Sequence, residues 1–185
     1  MTPPNLAPEL EPERIEWTGR FITARTRGKW EYVTRARGIR AAVILAIDAD
    51  DHVLLVEQFR VPLGKVCLEL PAGLVGDDDA SADENAIAAA GRELEEETGY
   101  RAACLEIVGE FYSSPGMVSE SFTLVRASGL TQTGPGGGID SEDITVRRVA
   151  LARLPEFVQS ARTRGLGIDV RLLMLLAPSI LGEKQ

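Results

Sequence analysis

The segment Glu84 to Tyr100, ENAIAAAGRELEEETGY, constrains this chain more than any other. Its Ala-rich start favours a helix, and at 100° per residue Glu93, Glu96 and Glu97 then fall on one face as i, i+3 and i+4. Like charges at that spacing cost about 0.2–0.5 kcal/mol per pair, and they sit near the negative end of the helix dipole. Gly99 follows where a helix ends in left-handed geometry. A helix that closes on three clustered acids is paying for something other than its own stability. A hard divalent cation reverses the sign of the argument, because carboxylate oxygens are the ligands that Mg²⁺ or Mn²⁺ prefers. A solvated acidic face is the other reading of the same three residues.

The rest of the chain narrows the chemistry. Its 185 residues suit one domain with its own core, and a net charge of −8 disfavours a nucleic-acid surface. The two cysteines, Cys67 and Cys104, suit reduced, buried thiols of a cytoplasmic protein, not a disulfide framework. Neither a signal peptide nor a membrane span is expected: the N-terminus is polar and Pro-rich, and the apolar stretch from Leu172 to Leu181 is too short. His52, the single histidine, falls in IDADDHVL, a hairpin turn, which removes most Ser-His-Asp and Cys-His schemes. With no P-loop either, chemistry is left to carboxylates, arginines and metal.

Residues 1–14 carry four prolines and read as a flexible segment. RFITART and KWEYVTRAR, joined around Gly28, read as an antiparallel β arm over residues 15–40. AAVILAID, HVLLVEQF, VCLEL, ACLEIVGEFY, SFTLVRAS and ITVRRVAL read as strands of a domain over 41–185. A helix is expected over about 84–97, and two more over LPEFVQSART and IDVRLLMLLAPSIL. Mixed strands with helices on both sides predict an α/β fold, an α/β/α sandwich around a mixed sheet. TQTGPGGG, residues 131–138, has too little apolar content to pack, so it is expected to be mobile without ligand and to carry Asp140 and Glu142 towards a substrate.

From Glu84 onward the helix resembles the signature of the Nudix hydrolase family, G-x5-E-x7-R-E-U-x-E-E-x-G-U, where U is a bulky apolar residue. Glu84, Arg92, Glu93, Leu94, Glu96, Glu97, Gly99 and Tyr100 all match. One position departs: Asp78 stands where the first glycine belongs, and the plausible equivalent, Gly73, makes the loop GLVGDDDASADE five residues longer than the signature. Asp77, Asp79 and Asp83 do not make this stretch a calcium loop, because Ala82 and Ala88 occupy the positions that need Gly and Glu.

Along most of its length the chain is similar to the ADP-ribose and nucleoside-diphosphate-sugar pyrophosphatase branch of that family. The likeness rests on WEYVTR, VEQFRVPLGKVCLELPAG and Pro115, fifteen residues after Tyr100. The resemblance implies the Nudix fold, Mg²⁺ (or Mn²⁺), and cleavage of ADP-ribose to AMP and ribose 5-phosphate. Another nucleoside diphosphate sugar, a damaged nucleotide, or a sensing module without hydrolysis are the alternatives. It also implies that Glu93, Glu96, Glu97 and the Ala72 carbonyl hold metal, with Arg92 pairing with Glu84. Glu142 is implied as metal ligand or general base, Asp140 as the alternative base, and Glu96 as a bridging ligand in the catalytic set. Trp30, Glu31, Arg35, Arg60, Leu74 and Glu120 are the implied substrate contacts. Of these, Trp30 is suited to stacking on adenine, with Phe21 or Trp17 opposite, and Arg60 to gripping a diphosphate. In that branch the N-terminal strands are exchanged between two subunits, so a homodimer is implied.

Overall fold

The computed structural model describes residues 11–36, 39–76, 85–139 and 142–182. Three antiparallel strands come first: β1 (Glu13–Thr18), β2 (Ile22–Arg27) and β3 (Trp30–Arg35), in the order β1-β2-β3. This sheet is the N-terminal arm, and its first strand already contains Glu13 and Arg14. Glu13 is held there by Arg25, Arg27 and Tyr32, which explains why a proline-rich approach gives way to a strand at that point.

The body follows with β4 (Arg40–Ala46), β5 (His52–Arg60), β6 (Lys65–Glu69), β7 (Ala72–Val75), α1 (Ala86–Thr98), β8 (Tyr100–Tyr112), β9 (Ser121–Gln132), β10 (Ile144–Ala150), α2 (Leu154–Thr163), β11 (Gly167–Ile168) and α3 (Leu173–Leu181). One sheet has the order β7-β4-β9-β8, with β4 parallel to β9; the other has β10-β5-β6-β11, with β11 parallel to β6. Alternation along β4 divides the interior. Ala42, Ile44 and Ala46 pack with Ala89, Ala90 and Leu94 of α1, while Val43 joins Leu154, Val158 and Ala161 of α2 and Leu176 of α3. Strands buried on both faces read as continuous apolar runs, which is why AAVILA and VLLV stand out in the sequence. Helices therefore cover both sides of mixed sheets, as the α/β/α expectation required.

Two local departures have clear causes. IDVRLLMLLAPSIL is not one helix. Asp169 donates its N–H to the Leu68 carbonyl and caps the Arg171 N–H with its own carboxylate, so the chain makes a short strand and a 3-10 turn before α3 begins. At α1, Asn85 accepts from the N–H groups of Ile87 and Ala88, both at 3.0 Å, and fixes the start two residues after Glu84, which lies outside the described residues. Gly99 ends the helix at φ 74°, as the sequence indicates. Of the cysteines, Cys67 is buried but Cys104 is exposed on β8, so burial of both does not hold; both are free thiols.

Candidate active site

α1 lies across the strand connection Leu70–Gly73, and this crossing builds the site. The Pro71 carbonyl accepts from Ile44 N–H at 2.8 Å, pinning the connection to the central strand. Gly73 then passes directly beneath Glu93: a Cβ there would come within 1.8 Å of the Glu93 carboxyl carbon. Any side chain at 73 would displace that glutamate, which is the physical reason for a glycine at this position. Leu94 points into the core with no exposure, and Glu93 and Glu97, one residue before it and three after, flank it where the helix passes over β7. Glu97 is 3% exposed and accepts from the Ala72 N–H at 3.0 Å.

These residues face a cavity of about 610 Å³. It collects Arg35, Arg60, Ala72, Leu74, Glu93, Glu97, Glu120 and Glu142 of the residues named from sequence. Glu96 is not on its wall, and its carboxylate is turned to Arg92 at 3.1 Å; the same guanidinium holds Glu93 at 2.8 Å. Arg92 also reaches the Leu74 carbonyl, while its expected pairing with Glu84 lies outside the described residues. Trp30 and Glu31 do not line the cavity. Trp30 is 64% exposed on the arm, and Glu31 borders a different groove beside Met117. Arg35 and Glu120 pair with each other, brought together where β3 meets the 117–119 segment through Val33. Asp140 lies outside the described residues.

The Gly-rich segment departs from the mobile loop expected of it. Thr133 and Gly134 donate to the Gly99 carbonyl, Gly137 to Glu97 and Gly138 to Glu96, so the loop satisfies the carbonyls that α1 leaves open at its end. Glycine makes this possible: a Cβ on Gly136 would stand 2.4 Å from the Thr98 carbonyl carbon. Backbone docking replaces the side-chain packing that the composition lacks. Beyond the loop Glu142 faces the cavity, its carboxylate accepting from the Ile139 N–H at 3.2 Å.

Sequence reasoning missed Gln58, Glu69, Ser113, Phe122, Asp169 and Arg171, all on the cavity wall. Glu69 is 2% exposed and ties Arg60 through two hydrogen bonds of 2.7 and 2.8 Å, with Arg171 at 3.3 Å on the same carboxylate. Asp169 holds Arg171 from the other side at 2.6 and 2.7 Å. The signal was present: Glu69, Asp169 and Arg171 are charges inside otherwise apolar runs, VCLEL and IDVRLLMLL, where buried charges need partners.

The Nudix domain family matches residues 37–162 of this chain. The chain belongs to the Nudix family. It is 34% identical over 180 residues to an uncharacterised Nudix hydrolase of Schizosaccharomyces pombe, covering 88% of this chain and 85% of that one. It is 33% identical over 121 residues to the ADP-ribose pyrophosphatase of Bacillus subtilis (65% of this chain, 63% of that one). To the GDP-mannose pyrophosphatase of Cronobacter sakazakii it is 34% identical over 149 residues (76% and 72%). A crystal structure of an ADP compounds hydrolase superposes with a TM-score of 0.65 at 23% identity, covering 95% of both chains, and shows the same fold. The chain is thus a hydrolase of the Nudix pyrophosphatase type.

Nudix hydrolases work with divalent metal ions, and the electrostatics of this Nudix site suit one. Burial pushes the Glu97 carboxyl up to about 8, with Glu93 and Glu142 adding to it; the Ala72 N–H and Arg60 work against it. Glu93 is raised as well, by burial first and by Glu96 and Glu142, against the pull of Arg92. Among the described residues no three acidic, His or Cys side chains are already closed on a metal-sized point. What the site offers is more carboxylate than Arg92 answers, with buried Glu97 in no ion pair among the described residues, and an all-oxygen donor set is one that a hard cation takes.

Proposed function

We propose that this chain hydrolyses the diphosphate of ADP-ribose to AMP and ribose 5-phosphate with Mg²⁺ or Mn²⁺. The observation that carries the reading is a single cavity lined both by carboxylates that would hold metal, Glu93, Glu97 and Glu142, and by arginines that would hold phosphate, Arg35 and Arg60. Glu93 and Glu97, with Glu96 and the Ala72 carbonyl, would hold the ion, which when bound neutralises phosphate oxygens and acidifies water. Arg60, braced by Glu69, presents its remaining N–H groups to the diphosphate. Glu142 accepts the proton of the attacking water or joins the metal ligands, and Asp140 is the alternative base. Glu120 accepts from ribose hydroxyls, and Leu74 borders the sugar. A carboxylate base suffices for water on a divalent ion, consistent with a lone histidine that lies in the Asp48–His52 turn.

Support for adenine as the base comes from the arm. Ile15, Trp17, Phe21 and Trp30 are 56–64% exposed, more apolar surface than a small sheet leaves to water without a partner. We infer a cytoplasmic homodimer in which residues 15–40 are exchanged, so that Trp30 and Glu31 of one subunit complete the nucleotide site of the other. Trp30→Ala then raises KM for ADP-ribose with kcat retained, and an unchanged KM refutes the stacking role. The second reading, another nucleoside diphosphate sugar or a damaged nucleotide, is favoured by the GDP-mannose pyrophosphatase among the relatives. A sensing module without hydrolysis is disfavoured, because Glu93, Glu96 and Glu97 are all present. Product analysis with Mg²⁺ against ADP-ribose, ADP-glucose, GDP-mannose and nucleoside triphosphates tests the assignment. AMP and ribose 5-phosphate from ADP-ribose at the highest kcat/KM are expected, and a higher value for GDP-mannose overturns it.

A further inference from the structure

A second cavity, about 550 Å³ in volume, lies between the N-terminal arm and the start of β4. Thr18, Thr23, Arg25, Arg35, Arg40 and Ser119 are on its wall. Its charge runs against that of the chain: three guanidinium groups face one carboxylate, Glu120, in a protein of net charge −8. Arg25 is already engaged by Glu13 and by the Thr34 hydroxyl, and Arg35 by Glu120. Arg40, at the first position of β4, makes no ion pair or side-chain hydrogen bond among the described residues. The hydroxyls of Thr18, Thr23 and Ser119 are likewise without protein partners there, although Thr23 is only 5% exposed. Among the described residues a cation and three hydroxyl groups are thus unanswered in one concave place.

We propose that this cavity is a second anion site, for a phosphate monoester, coupled to the active cavity through Arg35. A compact dianion fits the chemistry: Arg40 supplies charge and two parallel N–H donors, and the hydroxyls supply the remaining hydrogen bonds. A polyanion such as nucleic acid does not fit, since the rest of the surface is net acidic. Coupling follows from shared walls. Arg35 and Glu120 line both cavities, so their ion pair is the partition between them. An anion beside Arg40 competes with Glu120 for Arg35, which moves the arginine and the acceptor that the active cavity presents to substrate. On the reading given under Proposed function, both products are phosphate monoesters, so the site makes the enzyme responsive to its own products. That consequence rests on the proposed substrate; the anion site does not.

Calorimetric titration of the full chain with inorganic phosphate and with ribose 5-phosphate tests the site directly. Arg40→Gln is expected to weaken both by about tenfold or more, the loss of one charge-assisted pair. Arg40→Lys is expected to recover part of the affinity, and Arg60→Gln, in the active cavity, to leave it within about twofold. Arg40→Gln with unchanged affinity, or loss on Arg60→Gln instead, overturns the site. Kinetics test the coupling: phosphate is expected to lower kcat in the wild type, while Arg40→Gln keeps the uninhibited kcat and KM and loses this inhibition. Inhibition that is purely competitive and persists in Arg40→Gln overturns the coupling. If the chain does not hydrolyse ADP-ribose, the functional reading fails while the phosphate titrations still decide this one.

Discussion

Replacing Glu97 by Gln separates the two things this carboxylate does, carry charge and accept a hydrogen bond. Gln keeps the shape and an oxygen for the Ala72 N–H, so the packing under α1 is preserved while the charge is removed. Glu97 is raised from 4.5 to about 8, chiefly by burial. A carboxyl raised in this way binds its proton more tightly in the folded state. Its contribution to stability is therefore complete below pH 4.5 and is lost as pH rises through 8. Between pH 5 and 7 the loss amounts to about 2–3 kcal/mol in metal-free protein. With a urea m-value of about 2–3 kcal/mol/M, that moves the unfolding midpoint by roughly 1 M.

The assay is urea unfolding of wild type and Glu97→Gln in EDTA at both pH values. Every other acid is present in both proteins, so the difference between them reports Glu97 together with its coupling to Glu93 and Glu142. The variant should gain about 2–3 kcal/mol on the wild type between pH 5 and 7, and Mg²⁺ should narrow the gap by stabilising the wild type alone. Turnover of the variant should fall by orders of magnitude. Parallel pH profiles for the two proteins would show that Glu97 is not a buried, uncompensated charge, and near-native turnover would remove it from the metal site.

Glu95→Gln is the control on helix phase: Glu95 faces Arg101 and Thr133 at the surface, so near-native activity is expected, and damage equal to that of Glu97→Gln would contradict the assigned face. Glu142→Gln should depress kcat far more than affinity for ADP-ribose; wild-type kcat at saturating Mg²⁺ with an inactive Asp140→Asn would transfer the principal role to Asp140. Gly136→Ala, at φ 67° and against the Thr98 backbone, should destabilise by roughly 1–2 kcal/mol and lower kcat by loosening the approach to Glu142; unchanged thermal unfolding would refute the docked loop.

The strands and α1 were legible because they follow periodicity. Alternating burial in β4 and the capped, Gly-terminated helix are local patterns that tertiary contacts reinforce. The acidic face was legible for the opposite reason, since it violates local preference, as a face proposed to hold metal would. Glu69, Asp169 and Arg171 stand out in the sequence only as charges in apolar runs; Asp169 holds Arg171 two residues away, but the contact that joins them to Glu69 spans 102 residues, which no local pattern encodes. Trp30 and Glu31 were expected as substrate contacts only because the resemblance implies it, and within this chain they do not line the cavity.

The Gly-rich loop differs from its expectation because low apolar content does not remove every means of packing. What its glycines provide is close backbone approach. The N–H groups of Gly137 and Gly138 meet the carbonyls of Glu97 and Glu96, two residues of the acidic face itself. Those carbonyls are the negative end of the α1 dipole, and donors placed on them offset part of the charge that the glutamate side chains crowd there. One contact thus lowers the cost of the acidic cluster and sets the path of the chain from α1 to Glu142. Changing the loop should therefore alter the electrostatics of α1 and the position of Glu142 together, and the fall in kcat expected for Gly136→Ala should come with a changed pH slope of metal-free stability.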